Sequence, residues 1–157
     1  MPASELIRPA SAADAPSISA LIDGALVDCR AADFDEEGWA RMQAAIAPAN
    51  VKARLESADY ACWVALTDGQ LTGVITLFQH AKIEQLFVAA ECRHKGLASR
   101  LWATARAAAL GAGASGEFWV RSSTAGVGFY RRHGFEHDGP RQVFAGIAFY
   151  PMRCTHA

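Results

Sequence analysis

Residues 60–79, YACWVALTDGQLTGVITLFQ, restrict the fold more than any other stretch of this chain. Two apolar runs flank Asp68-Gly69, a pair suited to the tight turn of a β-hairpin. A third apolar run, KIEQLFVA, follows at once and predicts another strand. Around this centre, ELIRPA reads as a short strand stopped by Pro9, and Asp14 as the cap of a helix whose apolar face carries Ile18, Leu21, Ile22, Ala25 and Leu26. A second helix is expected from Asp35 to about Ala47, with Trp39, Met42 and Ile46 on one side. A third spans about Lys95 to Ala112 and ends in GAGASG, after which EFWVRS reads as a strand. TAGVGFYRRHG is a short helix stopped by Gly134, and FEHDGPRQVFAGIAFYPMR predicts two closing strands turning at Asp138-Gly139-Pro140. The order β-α-α-β-β-β-α-β-α-β-β predicts a mixed α/β (α+β) architecture, one domain over residues 1–157 around a central sheet.

Composition narrows the partners. The 157 residues are 52% hydrophobic with a formal net charge of −1, so there is no basic excess for nucleic acid. Cys29, Cys62, Cys92 and Cys154 are scattered without a C-x-x-C, and the five histidines form no H-x-x-x-H, which predicts reduced thiols and no metal site. MPASELIRPA lacks an apolar signal core, and no run is long enough to span a bilayer. The expectation is a soluble, cytoplasmic protein with no membrane partner.

The chemistry is concentrated in FVAAECRHKGLASRLWATARAAAL. Arg93, His94 and Lys95 stand at the entrance of a helix, where partial positive charge usually favours Asp or Glu. That reversal predicts an anion arriving from outside. Arg93, Gly96 and Ala98 fit the pattern Arg/Gln-x-x-Gly-x-Gly/Ala between a strand and a helix, where backbone N–H groups converge on phosphate oxygens. Gly96 lets backbone approach a ligand, Ala98 and Ser99 keep the next turn low, and Arg93 and Lys95 add charge toward a diphosphate. Neither a P-loop nor a G-x-G-x-x-G dinucleotide motif is present. Taken alone, the stretch also fits a glycine turn with solvated basic residues.

IEQLFVAAECRHKGLASRL, followed after another strand by GFYRRHGFE, resembles the GNAT superfamily of acetyl-CoA-dependent N-acetyltransferases. The order of elements resembles that family along nearly the whole chain, implying a GNAT-like, mostly antiparallel sheet flanked by helices. The resemblance implies acetyl-CoA as cofactor. Its pantetheine would lie along the strand backbone of Leu86, Phe87 and Val88, and its pyrophosphate on the N–H groups of His94, Lys95, Gly96, Leu97, Ala98 and Ser99, with Arg93 at the edge. Ser123 stands where many members carry an asparagine that bonds pantetheine. Tyr130 falls at the family's general acid and Glu84, in EQLFV, at an acidic position suited to a base; His80 is a second candidate base.

The implied reaction is direct attack of a primary amine on the thioester in a ternary complex, with strand backbone near Leu86 polarising the carbonyl. Cys92 has no evident activating base as an acyl carrier. Asp35, Glu36 and Glu37 read better as a solvated helix start than as a site for a cationic substrate, and Phe144, Phe149 and Tyr150 line a pocket or fill the core. The acceptor is a small-molecule or peptide amine, and the protein a monomer or homodimer. The rival reading is a non-catalytic acyl-CoA-binding sensor or regulatory module.

Overall fold

Asp68 and Gly69 both adopt left-handed backbone, φ 51° and 81°, and close the hairpin at the middle of the sheet. A computed structural model describes residues 4–155. Strand β1 (Glu5–Pro9) leads to helices α1 (Ala15–Leu26), α2 (Arg30–Asp33), α3 (Glu36–Ala45) and α4 (Pro48–Leu55). Strands β2 (Tyr60–Thr67), β3 (Gln70–Phe78) and β4 (Lys82–Val88) follow, then α5 (Leu97–Gly111), β5 (Phe118–Ser122) and α6 (Val127–Arg132). Three strands close the chain: β6 (Glu136–His137), β7 (Gln142–Phe144) and β8 (Ile147–Cys154). The eight strands run in the order β1-β2-β3-β4-β5-β8-β6, with β7 also paired to β8. Every pairing is antiparallel except β4 with β5.

Side chains alternate across the strands, so the sheet buries two faces separately. Ile75, Leu77, Ile83, Phe118 and Val120 pack with Leu97, Leu101, Trp102 and Ala105 of α5. Val64 and Val74 of the opposite face pack with Ile18, Ile22 and Leu26 of α1 and Val51 of α4. A Cβ on Gly73 would lie 2.8 Å from Leu101 Cδ1, so the bare backbone there sets how closely α5 sits on the sheet.

The structure departs from the sequence expectation in several places, the short helix α2 among them. Helix α4 was not anticipated: eight residues with one buried side chain, Val51, are too few to display helical periodicity, and Pro48 in its first turn is the available signal. The third helix starts at Leu97 rather than Lys95, because Gly96 is left-handed (φ 80°) and cannot begin it. The closing strands number three among the described residues, and the tightest turn is at Ala145-Gly146 (φ 51° and 81°), not at Asp138-Gly139-Pro140. Alanine is a poor signal for a left-handed turn, so the β7–β8 hairpin is hidden in the sequence.

Candidate active site

Strands β4 and β5 pair at two positions, Lys82 with Trp119 and Ile83 with Val120, and then part. Residues 84–88 continue along β3, and β5 continues along β8, so one backbone edge of β4 has no strand against it among the described residues. The cause lies in the register. Thr76 faces Gln85 while Leu77 faces Ile83, which leaves Glu84 as the extra residue of a bulge. A bulge bends its strand and increases the twist, turning β4 away from β5.

The free edge leads to the start of α5. After a short turn over Ala90–Cys92, His94 (φ 61°) and Gly96 (φ 80°) bring the loop into the helix. The first helical bond runs from the Arg100 N–H to the Gly96 carbonyl at 3.1 Å, leaving the N–H groups of Leu97, Ala98 and Ser99 without helical partners. The Arg100 side chain braces this loop: it holds Glu5 at 2.6 and 2.7 Å and the Lys95 carbonyl at 2.9 Å. The Arg100 guanidinium in turn keeps the Glu5 carboxyl below its ordinary pKa. Ser99 Oγ lies 2.9 Å from His133 Nε2 and ties α5 to the end of α6. Partial burial, and then Arg132, lower the His133 pKa and favour a neutral ring.

Three contacts fasten the segment from the end of α1 through α2 across the split. Asp28 pairs with Arg93 at 2.7 Å on the β4–α5 loop. Asp33, 4% exposed, accepts from the Thr124 N–H at 3.1 Å and the Thr124 hydroxyl at 2.6 Å in the β5–α6 turn. Between them the Cys29 thiol is raised mainly by burial and then by the Asp33 charge, while Arg93 and a hydrogen bond with Ser123 oppose the rise. The segment is thus a strap fixed to both walls. Asp28 and Asp33 were missed by sequence reasoning, since their partners lie 65 and 91 residues away and no local pattern links them.

Tyr130 is 7% exposed, between Phe129 and Phe135 at ring distances of 5.2 and 5.3 Å. It shares a packed cluster with Leu86 and Val88 of the free segment. Among the described residues its hydroxyl has no hydrogen-bond partner. Burial raises the phenol well above its ordinary pKa, so it keeps its proton. Ser123 Oγ accepts from the Gly126 N–H at 3.0 Å and supports the turn into α6.

Glu84 approaches from the other face. It pairs with Lys82 at 2.9 Å, and the Lys82 ammonium lies 5.1 Å from the Trp119 ring centre, on the side of β5 away from α5. His80 occupies an exposed left-handed turn before β4 (φ 57°), at the end of the strand remote from α5. Asp35 caps α3 by accepting from the Gly38 N–H at 2.8 Å, and Glu37 pairs with Arg41 at 3.3 Å, so these acids are a helix start. Phe149 is buried, Tyr150 half-buried beside His137, and Phe144 is 70% exposed.

Over residues 30–156 the chain matches the family model described as an acetyltransferase (GNAT) domain. The chain belongs to the GNAT acetyltransferases. It is an acyltransferase, and its reaction is acetyl transfer. Solved GNAT structures share the fold. The PaiA N-acetyltransferase from Thermoplasma acidophilum, in complex with coenzyme A, is 18% identical over 98% of this chain and 99% of its own, with a TM-score of 0.84. A GCN5-related N-acetyltransferase from Rhodopseudomonas palustris is 22% identical over 99% and 98%, with a TM-score of 0.82. A ribosomal-protein-alanine N-acetyltransferase from Brucella melitensis is 22% identical over 96% and 99%, with a TM-score of 0.68. Among curated proteins none matches by sequence. In this GNAT chain, no helix of the described residues is long and apolar enough to cross a membrane.

Proposed function

We propose that the chain is an N-acetyltransferase that moves the acetyl group of acetyl-CoA to a primary amine, which attacks directly while both substrates are bound. One observation carries this reading: the free β4 edge at residues 84–88 runs toward the unpaired N–H groups at the start of α5. An extended chain of amides satisfies such an edge as an added strand does, and a diphosphate suits the N–H groups of a helix start. Coenzyme A joins those two chemistries in one molecule, and the Thermoplasma relative holds it.

In this reading the backbone of Leu86 and Val88 bonds the pantetheine, while Phe87 turns its side chain to the opposite core. The N–H groups of His94, Lys95, Gly96, Leu97, Ala98 and Ser99 cradle the pyrophosphate, and Arg93 adds charge at the rim beside Asp28. Ser123 supplies a short-reach hydroxyl from the other wall. Acetyl-CoA, when bound, supplies an activated acyl thioester.

Glu84 and Tyr130 then divide the proton work. A lysine-like amine with pKa ~10.4 must shed a proton before attack, which at pH 7 costs about 4–5 kcal/mol. The Glu84 carboxylate, now held by Lys82, draws the incoming ammonium and takes that proton. Tyr130, kept protonated by burial, donates to the departing sulfur. Two of the cysteines, Cys29 and Cys62, are poor acyl carriers. Burial raises the Cys29 thiol and pushes Cys62 up to about 11, so neither is a ready thiolate nucleophile at neutral pH. The reading takes residues 1–157 as one cytoplasmic domain, a monomer or homodimer.

Calorimetric titration with acetyl-CoA, beside acetyl-pantetheine that lacks the diphosphate, is the test. Saturable binding of the first, at least tenfold tighter than the second, supports the cradle. Thiol release on adding amines supports transfer. No heat at millimolar acetyl-CoA overturns the reading.

A further inference from the structure

We propose that the acceptor is a small amine that also carries a carboxylate, and that Arg121 binds that carboxylate; this rests on the N-acetyltransferase reading above. Ile83 and Val120 form the last pair between β4 and β5. Glu84 and Arg121 are the next residues on the two strands, one on each side of the split. Phe118 and Val120 are buried against α5, so alternation puts Trp119 and Arg121 on the other face. Lys82 reaches both Trp119 and Glu84, which brings Glu84 to that same face. The proposed base and a guanidinium therefore flank the mouth of the split together.

Arg121 is seated but uncommitted. Its guanidinium stacks 4.9 Å from the centre of the Phe149 ring, which orients the planar fork without occupying its N–H donors. Arg8, Arg41, Arg93, Arg100 and Arg153 each pair with a carboxylate of this chain. Among the described residues no carboxylate pairs with Arg121. It lines a cleft of about 500 Å³ together with Trp119, Gln142 and Phe149, a volume suited to a small molecule rather than a folded protein.

The cleft holds three further charged side chains, Glu117, Asp138 and Arg153. Arg153 and Glu117 neutralise each other at 3.1 Å. Asp138 lies beyond β8: its N–H donates to the Pro151 carbonyl at 2.8 Å, and Pro151 is the register partner of Arg121. A carboxylate on Arg121 and an ammonium toward Glu84 give an amino acid opposite charges to meet at the two ends. A diamine of the same length would put a cation against Arg121.

The test compares thiol release for matched pairs: an amino acid against the amine left when its carboxylate is removed, for lysine, phenylalanine and leucine. The wild type should favour the carboxylated member by kcat/KM. Arg121→Gln should raise KM for that member roughly 10–100-fold, the range for a charged hydrogen bond, while leaving its decarboxylated twin and the acetyl-CoA Kd unchanged. Arg121→Lys, which keeps charge but loses the fork, should recover part of the preference. Equal use of both members by the wild type, or an undiminished preference in Arg121→Gln, overturns the proposal. Acetyl-CoA binding with turnover only of decarboxylated amines sinks the carboxylate assignment and spares the N-acetyltransferase reading. Absent acetyl-CoA binding sinks both.

Discussion

The α5 side of the split is built from backbone, while the β5–β8 face is built from side chains. On the first side, the useful groups are the free edge of residues 84–88 and the N–H groups preceding Arg100. Side chains there act as braces: Arg100 on Glu5, Ser99 on His133, Asp28 on Arg93. On the second side, Glu84, Trp119, Arg121 and Phe149 are the side chains that the proposed acceptor site would use. A backbone site tolerates many sequences, so long as a glycine and small residues keep it open. A side-chain site changes with each substitution. Such a division would let a chain keep a backbone-built half through many substitutions while varying the other half to select its acceptor.

Substitutions can break this division at several levels. The largest effect is expected from Tyr130→Phe, which removes the proposed proton donor and keeps the ring. Turnover should fall about 10²-fold with the acetyl-CoA Kd unchanged, as read by thiol release and calorimetry; unchanged turnover would remove Tyr130 from the reaction. Gly38→Ala attacks the scaffold of the acceptor face, because the added Cβ meets the Gly146 carbonyl where α3 abuts the β7–β8 turn. Thermal unfolding should show a loss of about 1–3 kcal/mol from overpacking, with the cofactor site intact in what remains folded.

Asp33→Ala removes both bonds to Thr124 and unfastens the strap from the β5–α6 turn. A stability loss of about 1–3 kcal/mol is expected, with a raised KM for acetyl-CoA. Equal KM values would mean that the strap carries stability alone. The Ser99–His133 tie gives a smaller, pH-dependent effect. The folded pKa of His133 lies below its unfolded value, so its contribution is present above pH ~6.5 and is lost as the pH falls through the folded value. Tm measured against pH should therefore decline less steeply on the acid side in His133→Gln. Asp28→Asn should have the smallest effect, a fraction of a kcal/mol that fades at high salt, because the pair with Arg93 is exposed.

The two sides also differed in how far they could be read from sequence. Gly96 and the basic run before it announce the start of α5, because a cradle of N–H groups needs a residue without a side chain at a fixed place. The hairpin at Asp68-Gly69 announces the sheet for a similar reason. The strap was illegible: Asp33 is one of three aspartates in GALVDCRAADFD, with nothing to single it out until the fold sets Thr124 against it. Arg121 alternates with buried neighbours as any exposed strand arginine does. Only the parting of β4 from β5, which no local pattern records, gives it a place in the proposed acceptor site. The bulge at Glu84 is equally silent, since it is a mismatch between two strands rather than a property of one.

Among the described residues, two residue pairs are all that join the β1–β4 half of the sheet to the β5–β8 half through parallel strand pairing. Opening free energies within one protein need not be uniform, and units that share few hydrogen bonds open separately. Amide hydrogen exchange in the ligand-free protein should then divide into two groups, β2 and β3 protected more strongly than β5 and β8. A ligand lying in the split would act as the missing strand between them. Its binding should slow exchange on both sides at once and merge the two groups into one cooperative unit, so that acetyl-CoA works as part of the sheet as well as a reactant.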